Sequence, residues 1–313
     1  MTDSTVWRIK PGLYLIDQQF LGVRGVIGSY LLVDEQENDL ALIETGPTPT
    51  MNNVFEGIRS VGFEPEAIRT IIVTHIHLDH SGAAGQMLRH LPDARVLVHP
   101  NGAEHLTDPG RLLQSAGRIY GDDMDRLWGE VVAVPEDRVQ TVEDRETIRA
   151  GGRSLMAVST PGHAGHHHAW FDAEQGDLFT GDAAAVRLER VPYVRPPTVP
   201  PEFDLEKWRS TVGTMRSLRP QRLHLTHFGS FDDPEWHFDD LLCRLHYWYG
   251  WVSARLKQGV EQDDLIQELQ EFGDRELVEI TGSTDLIEPY ELATAYYMTI
   301  QGMSRYWRRQ QRD

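Results

Sequence analysis

The spacing of apolar positions changes several times along this chain, and each change marks an element. In "VWRIKPGLYLID" (6–17), "GVIGSYLLVDE" (25–35) and "DLALIETG" (39–46), β-branched and aromatic residues stand between Gly, Pro and Asp, a pattern that predicts strands. Over roughly 49–61 the period lengthens, and Val54, Ile58 and Val61 share one face of a predicted helix. "AIRTIIVTH" (67–75) is a short, strongly apolar run, expected as a strand buried on both faces. A helix near 82–90, the strand "ARVLVHP" (94–100) and helical material through about 128 follow. Further strands are expected at "RVQTV", "RSLMAVST", "HHHAWFD" and "DLFTGD", then a helix near 204–218 and the strand "RLHLTHFG". The proline-rich "VPYVRPPTVPPEFD" (191–204) is expected as an ordered loop over the end of this layered α/β unit.

From about residue 234 the pattern becomes purely helical. Three helices are predicted, in "PEWHFDDLLCRLHYWYGWVSARLKQG", "EQDDLIQELQEFG" and "EPYELATAYYMTIQGMSRYWRRQQR". Leu241, Leu242, Leu245, Trp248, Tyr249, Val252 and Leu256 recur at helical spacing in the first. Trp236, Trp248, Trp251, Tyr296, Tyr297 and Trp307 are too many large aromatics for a solvated appendage. The expected division is a core domain over 1–233 and a helical C-terminal extension over 234–313. The extension must pack on the core, on a second copy in a homodimer, or on both, because three helices bury little surface alone.

Composition narrows the class. Among 313 residues, 40 % are apolar and 25 % charged, as a globular chain with a sizeable core requires. No apolar run approaches the roughly 18 residues of a spanning helix, and "MTDSTVWRIKPGLYLI" lacks a signal-peptide pattern, so no membrane partner is expected. The single cysteine, Cys243, rules out an intrachain disulfide framework and fits a cytoplasmic chain. The net charge of −18 opposes a nucleic-acid partner, since a nuclease needs a basic surface to neutralise phosphates. The cationic residues are mostly arginine; the lysines are Lys10, Lys207 and Lys257.

The chemistry concentrates in "THIHLDHSG" (74–82), where His75, His77, Asp79 and His80 crowd the end of a predicted strand. His75 and His77 point the same way from an extended backbone. "TPGHAGHHH" adds His163, "LFTGDAA" adds Asp182 and "HLTHFGS" adds His227, each at a predicted strand end close to a glycine. Strand ends from one rim converge in space, so these residues can share a site. A packed core has no use for that much polarity in one place. A metal site does.

"HIHLDH", followed by a Gly-His, a Gly-Asp and a late His, resembles the metallo-β-lactamase-fold hydrolase superfamily over about residues 6–230. "VHPNGAEHLTDPGRLLQSA" and "TPGHAGHHH" also look like a poorly characterised branch of it, with helical extensions as in glyoxalase II-like members. The resemblance implies a four-layered αββα sandwich with two metal ions at one rim. His75, His77 and His163 would hold the first, Asp79, His80 and His227 the second, and Asp182 would bridge them. Zinc is the default, with iron or manganese suited to the same nitrogen and oxygen donors. The implied activity is hydrolysis of a small ester, thioester or lactone by a hydroxide bridging two cations, with Asp79 or Asp182 managing the proton.

Rival readings are a mononuclear iron sulfur dioxygenase of the same fold, a metal-dependent nuclease and a non-catalytic scaffold. His80 and His227 count against the first, and charge against the second. Glu44 stands where relatives carry Asp before a Thr-Gly turn, a carboxylate that orients a ligand. Ala185 lies where homoserine-lactone hydrolases of this superfamily have a tyrosine. Arg187 either meets an anionic substrate group or is structural, and Tyr193 is a candidate pocket residue. His166, His167 and His168 alternate faces, so they cannot all join His163, and one could donate to substrate or a ligand carboxylate. His99 and His105 are expected as satisfied buried histidines, and His224 as facing away from His227.

Overall fold

Alternation along the strands sorts side chains onto three apolar interfaces, and those interfaces define the layers of the computed structural model, which describes residues 4–188 and 191–312. The first sheet runs in chain order: β1 (Val6–Lys10), β2 (Leu13–Asp17), β3 (Gly28–Asp34), β4 (Asp39–Ile43), β5 (Ile68–Ile72), β6 (Arg95–Val98) and β7 (Val139–Thr141). Its first four strands are antiparallel neighbours, and β4 to β7 are parallel. The second sheet has β8 (Thr147–Ala150), β9 (Arg153–Ser159), β10 (His168–Asp172), β11 (Asp177–Phe179), β12 (Arg222–Leu225) and β13 (Gly229–Phe231), in the order 13-12-11-10-9-8. Only β11 and β12 pair in parallel within it.

Between the sheets, Leu13, Leu15, Tyr30, Leu32, Ala41 and Ile43 meet Leu155, Ala157, Trp170 and Phe179. The intervening residues Tyr14, Ile16, Leu31, Val33, Leu40 and Leu42 face outward. They pack on α1 (Met51–Ser60), α3 (Ala84–Leu88) and α4 (Pro100–Thr107); the one-turn α2 (Leu78–Ser81) precedes α3. A period of two thus buries both faces of one sheet. The helical stretch after α4 divides into α5 (Gly110–Tyr120) and α6 (Met124–Trp128).

The outer face of the second sheet (Val158, Ala169, Phe171, Leu178, Leu223, Leu225) is covered by α7 (Leu205–Ser217) and by the tail. The tail comprises α8 (Pro234–Lys257), α9 (Gln262–Thr281), α10 (Ile287–Ala293) and α11 (Tyr296–Gln310). Leu241, Leu245, Trp248 and Val252 of α8, Leu265 and Leu269 of α9, and Ile300, Met303 and Tyr306 of α11 join that layer. The architecture is the four-layered α/β sandwich with added C-terminal helices. No helix is long and apolar enough to cross a membrane, among the described residues.

Several elements depart from expectation for identifiable reasons. Gly273, expected to end the second tail helix, lies inside α9, where a methyl group would sit 2.2 Å from the Tyr296 hydroxyl oxygen. The glycine admits a neighbouring helix rather than terminating its own. The third tail helix breaks at Thr294, and the Glu291 carboxylate accepts the Tyr296 N–H at 3.2 Å, satisfying a donor at the start of α11. The helix expected near 82–90 begins earlier, at Leu78, and carries Asp79 and His80 in its first turn. The edge strand β8 is short, with Thr147 and Arg149 exposed, and shows little apolar signal.

Candidate metal centre

Each of the seven candidate donors follows a strand end. Beyond β5 the chain bends at Thr74 and His77, His75 and His77 come to one side, and α2 then delivers Asp79 and His80. His163 follows β9, Asp182 lies in a single turn (Gly181–Ala184) after β11, and His227 follows β12. Gly181 has φ 48°, and a methyl group there would lie 2.4 Å from Thr74 Oγ1 and 2.7 Å from His167 Nε2, so glycine is what lets the turn sit against the histidines.

The structure brings all seven together at one rim, as three mutually close groups: His75, His77 and His163; His75, His80 and Asp182; Asp79, His80 and His227. In the first, His75 Nε2 is 2.8 Å from His77 Nδ1, and His163 Nε2 lies 3.2 Å and 2.9 Å from those two atoms. In the last, Asp79 Oδ2 is 3.6 Å from His80 Nε2 and 3.3 Å from His227 Nε2. Asp182 spans them: Oδ2 is 3.3 Å from His163 Nε2, while Oδ1 is 3.3 Å from His80 Nε2 and 3.5 Å from His227 Nε2.

Backbone carbonyls aim the rings. His163 Nδ1 donates to Pro197 O at 2.7 Å, and His227 Nδ1 donates to Val26 O at 2.8 Å. A carbonyl oxygen only accepts, so each Nδ1 carries the proton and each Nε2 turns a lone pair inward. Glu44, at φ 67°, accepts the Thr74 N–H at 3.1 Å and brings Oε2 to 3.3 Å from His80 Nδ1. His167 accepts the Asp182 backbone N–H at 3.2 Å and contacts Thr160 Oγ1 at 2.7 Å, so it holds the carboxylate's turn rather than facing substrate.

The two donor sets differ in proton demand. Burial, reinforced by neighbouring histidines, pushes His75 and His77 well below the usual imidazole value, and burial also lowers His163. Burial opposes charge on His80 too, but Asp79, Asp182 and Glu44 outweigh it and raise His80 well above its usual value. Asp182 and Asp79 likewise raise His227 against its burial. Burial works against the Asp79 carboxylate, yet His80 and His227 bring it down to about 2, and His80, His163 and His227 hold Asp182 well below the usual range.

Both nitrogens of His80, His227 Nε2 and Asp182 Oδ1 are buried without a hydrogen-bond partner. Buried polar atoms are normally satisfied; His80 Nδ1 is turned to Glu44 Oε2, and the other three orphans, which lie close together, can be satisfied by one cation. The donor set of neutral imidazoles and carboxylates fits divalent zinc, iron or manganese.

Asp79 and Asp182 face a cavity of about 600 Å³ that also exposes His77, His163 and His166. Its walls come from α5 and α6, from Pro197 and Val199–Glu202 of the proline-rich loop, and from the break between α10 and α11. A larger hollow of about 1020 Å³, at Trp7, Phe228 and Pro289, holds none of the seven donors. The cavity that the candidate donors face is the smaller one.

A profile of the metallo-beta-lactamase superfamily matches residues 23–227. The chain belongs to that superfamily. Over 162 residues it is 31 % identical to the metallo-beta-lactamase fold-containing protein ST1585 of Sulfurisphaera tokodaii, covering 51 % of this chain and 60 % of that protein. Thioesterase pkgB of Emericella nidulans is 28 % identical over 182 residues, covering 56 % of this chain and 42 % of pkgB. The matched stretch therefore spans about half the length of these relatives. The metallo-beta-lactamase family protein TTHA1429 of Thermus thermophilus shares the fold over 97 % of this chain and 95 % of its own, with a TM-score of 0.69 at 20 % identity.

Other candidates of this superfamily member fall elsewhere. Arg187 makes a two-pronged ion pair with Asp233 (2.7 and 3.0 Å) between the rings of Phe231 and Trp236, which makes it structural. Tyr193 is fully buried, with the Arg244 guanidinium 4.0 Å from its ring, and does not line the cavity. His99 is half-buried and accepts the Asn101 N–H at the start of α4. His105 is also half-buried, lines the cavity and leaves Nδ1 without a partner, contrary to a satisfied buried histidine. His166 lines the cavity, His168 packs edge-on to His99, and His224 hydrogen-bonds Ser230 and lies 3.1 Å from Asp177 Oδ1 in the core between the sheets. Tyr120 and Glu291–Ala295 are cavity residues that strand-end motifs do not reveal.

Proposed function

We propose that this chain is a dinuclear metal-dependent hydrolase of a small ester, thioester or lactone. The observation that carries it is the double engagement of Asp182, whose two oxygens face different donor sets. His75, His77 and His163 would hold one cation, Asp79, His80 and His227 the other, and Asp182 both. Two cations so held supply Lewis acidity and make water a nucleophile near neutral pH.

The chain's own groups do the rest. Asp79 is the more exposed carboxylate, with 22 % of its side chain accessible against 5 % for Asp182, and it is placed to orient an attacking water by accepting its proton in a hydrogen bond. His163 and His227 are locked by backbone carbonyls, so little reorganisation accompanies the reaction. The cavity of about 600 Å³ has room for a small molecule, with apolar side chains such as Leu112, Ile119 and Val199 in its wall. Similarity to a thioesterase supports acyl transfer to water as the reaction class. The second donor set opposes a mononuclear sulfur dioxygenase, and the charge of −18 opposes a nuclease. Metal analysis of protein purified without chelator, paired with a screen of esters, thioesters and lactones, tests the assignment. Two equivalents and turnover are expected; a firm single equivalent would overturn it.

A further inference from the structure

Tyr120 ends α5 with its ring edge-on to Trp128 at 5.0 Å, and Trp128 stacks on Phe20 at 5.8 Å. This aromatic row fixes the tyrosine in the wall of the cavity that opens on Asp79 and Asp182. Its hydroxyl donates to Met298 Sδ at 3.6 Å. A thioether is a weak acceptor, so a substrate oxygen entering the cavity offers this donor a better partner. Burial and the Asp79 carboxylate both raise the phenol's pKa, keeping it a donor at neutral pH.

The surface beside it is apolar, with Leu112, Ala116 and Ile119 along α5. Arg111 and Arg126 reach the same cavity, but each faces an acid, Glu104 at 3.7 Å and Asp123 at 3.0 Å. Both pairs are solvent-exposed and weak, but the Glu202 and Glu291 carboxylates also line the cavity and oppose an anionic substrate arm. An uncharged chain meets no such opposition.

Resting on the assignment of this cavity as the substrate site, we propose that Tyr120 donates a hydrogen bond to the acyl oxygen of the substrate. We further propose that the acyl chain is uncharged and apolar, and lies along Leu112, Ala116 and Ile119. Tyr120 then selects for an oxygen acceptor at one end of the substrate while α5 measures the chain.

Unbranched 2-alkanones, from 2-butanone to 2-decanone, are the probe, titrated calorimetrically into the metal-loaded protein. They offer a carbonyl and a chain and are not hydrolysed. Affinity should rise about fourfold per CH₂ until the wall is covered. Tyr120→Phe should weaken every ketone about fivefold, the worth of one hydrogen bond, with the same factor per CH₂. Met298→Leu, which removes the competing acceptor, should bind at least as tightly as wild type. Affinity independent of chain length would overturn the apolar chain; equal affinity in Tyr120→Phe would overturn the donor. Ketone binding as described without turnover of any ester, thioester or lactone would retire the hydrolase and leave this inference standing. Turnover beside flat ketone binding would do the reverse.

Discussion

Glu44 Oε2 and His80 Nδ1 face each other at 3.3 Å with both side chains fully buried. The glutamate reaches there from the left-handed region, at φ 67°, while its other oxygen accepts the Thr74 N–H. One carboxylate thus joins the end of β4 to the approach of the histidine cluster and sets the orientation of a candidate ligand. Glu44→Gln should reduce metal affinity at the second donor set by about 10–100-fold, as loss of a ligand's supporting carboxylate does elsewhere. Zinc titration of the variant should show one tight and one weakened equivalent. Two unchanged equivalents would remove Glu44 from the site.

Asp182→Ala should lower hydrolysis on the order of 10³-fold, the several kcal/mol that paired cations contribute to the transition state. The aspartate sits at the rim, so circular dichroism should remain that of the wild type. Near-wild-type turnover would exclude its bridging role.

Metal loading should be stepwise in pH. His75, His77 and His163 are held neutral by burial, so a cation entering there displaces no imidazole proton. Neighbouring carboxylates raise the values of His80 and His227, so a cation at the second set competes with protons there. Binding that releases protons strengthens as pH rises. In zinc titrations the affinity of the second equivalent should therefore rise more steeply with pH than that of the first, with the larger proton release in the second step. Identical pH dependence for both steps would contradict the assignment.

Most of the centre was legible in the sequence because strand ends are local signals. A histidine or aspartate just after an apolar run announces a rim position, and the seven candidate donors lie where such signals stand. The cavity was not legible, because its walls are helices docked from far along the chain. Leu112, Ala116 and Ile119 read as an ordinary amphipathic stripe, and nothing local says that Tyr120 of that helix meets Met298. Arg187 stood between two readings, anionic-substrate contact and structural, for the same reason: the partner that makes it structural, Asp233, follows a proline-rich loop and a helix. Tyr193 looked accessible in that loop, yet Arg244 and Tyr290 enclose it.

The tail should prove inseparable from the core. Trp248 is fully buried among residues of the second sheet's outer layer, and Trp248→Ala should cost about 3–5 kcal/mol in chemical denaturation. Truncation after Ser230 exposes that whole layer and should give poorly soluble protein with little activity. A soluble, fully active core would show the tail to be dispensable.

At Gly302 of α11, a methyl group would sit 1.9 Å from the Thr198 carbonyl oxygen. Overpacking of about 1–3 kcal/mol opposes a helix-propensity gain of about 1 kcal/mol, so Gly302→Ala should be net destabilising by up to about 2 kcal/mol. Because the displaced loop holds His163 through Pro197 O, zinc affinity should fall as well. Unchanged zinc affinity in a destabilised variant would uncouple the loop from the centre.

That last contact ties the candidate site to the last helix of the chain. Thr198 donates to Thr299 O at 3.2 Å, and its neighbour Pro197 supplies the carbonyl that turns His163 toward the other donors. The seven donors have all been synthesised by His227, but α11 leaves the ribosome long afterwards. Without it the proline-rich loop lacks the surface against which it rests, so the segment that aims one candidate donor is braced by the far end of the chain.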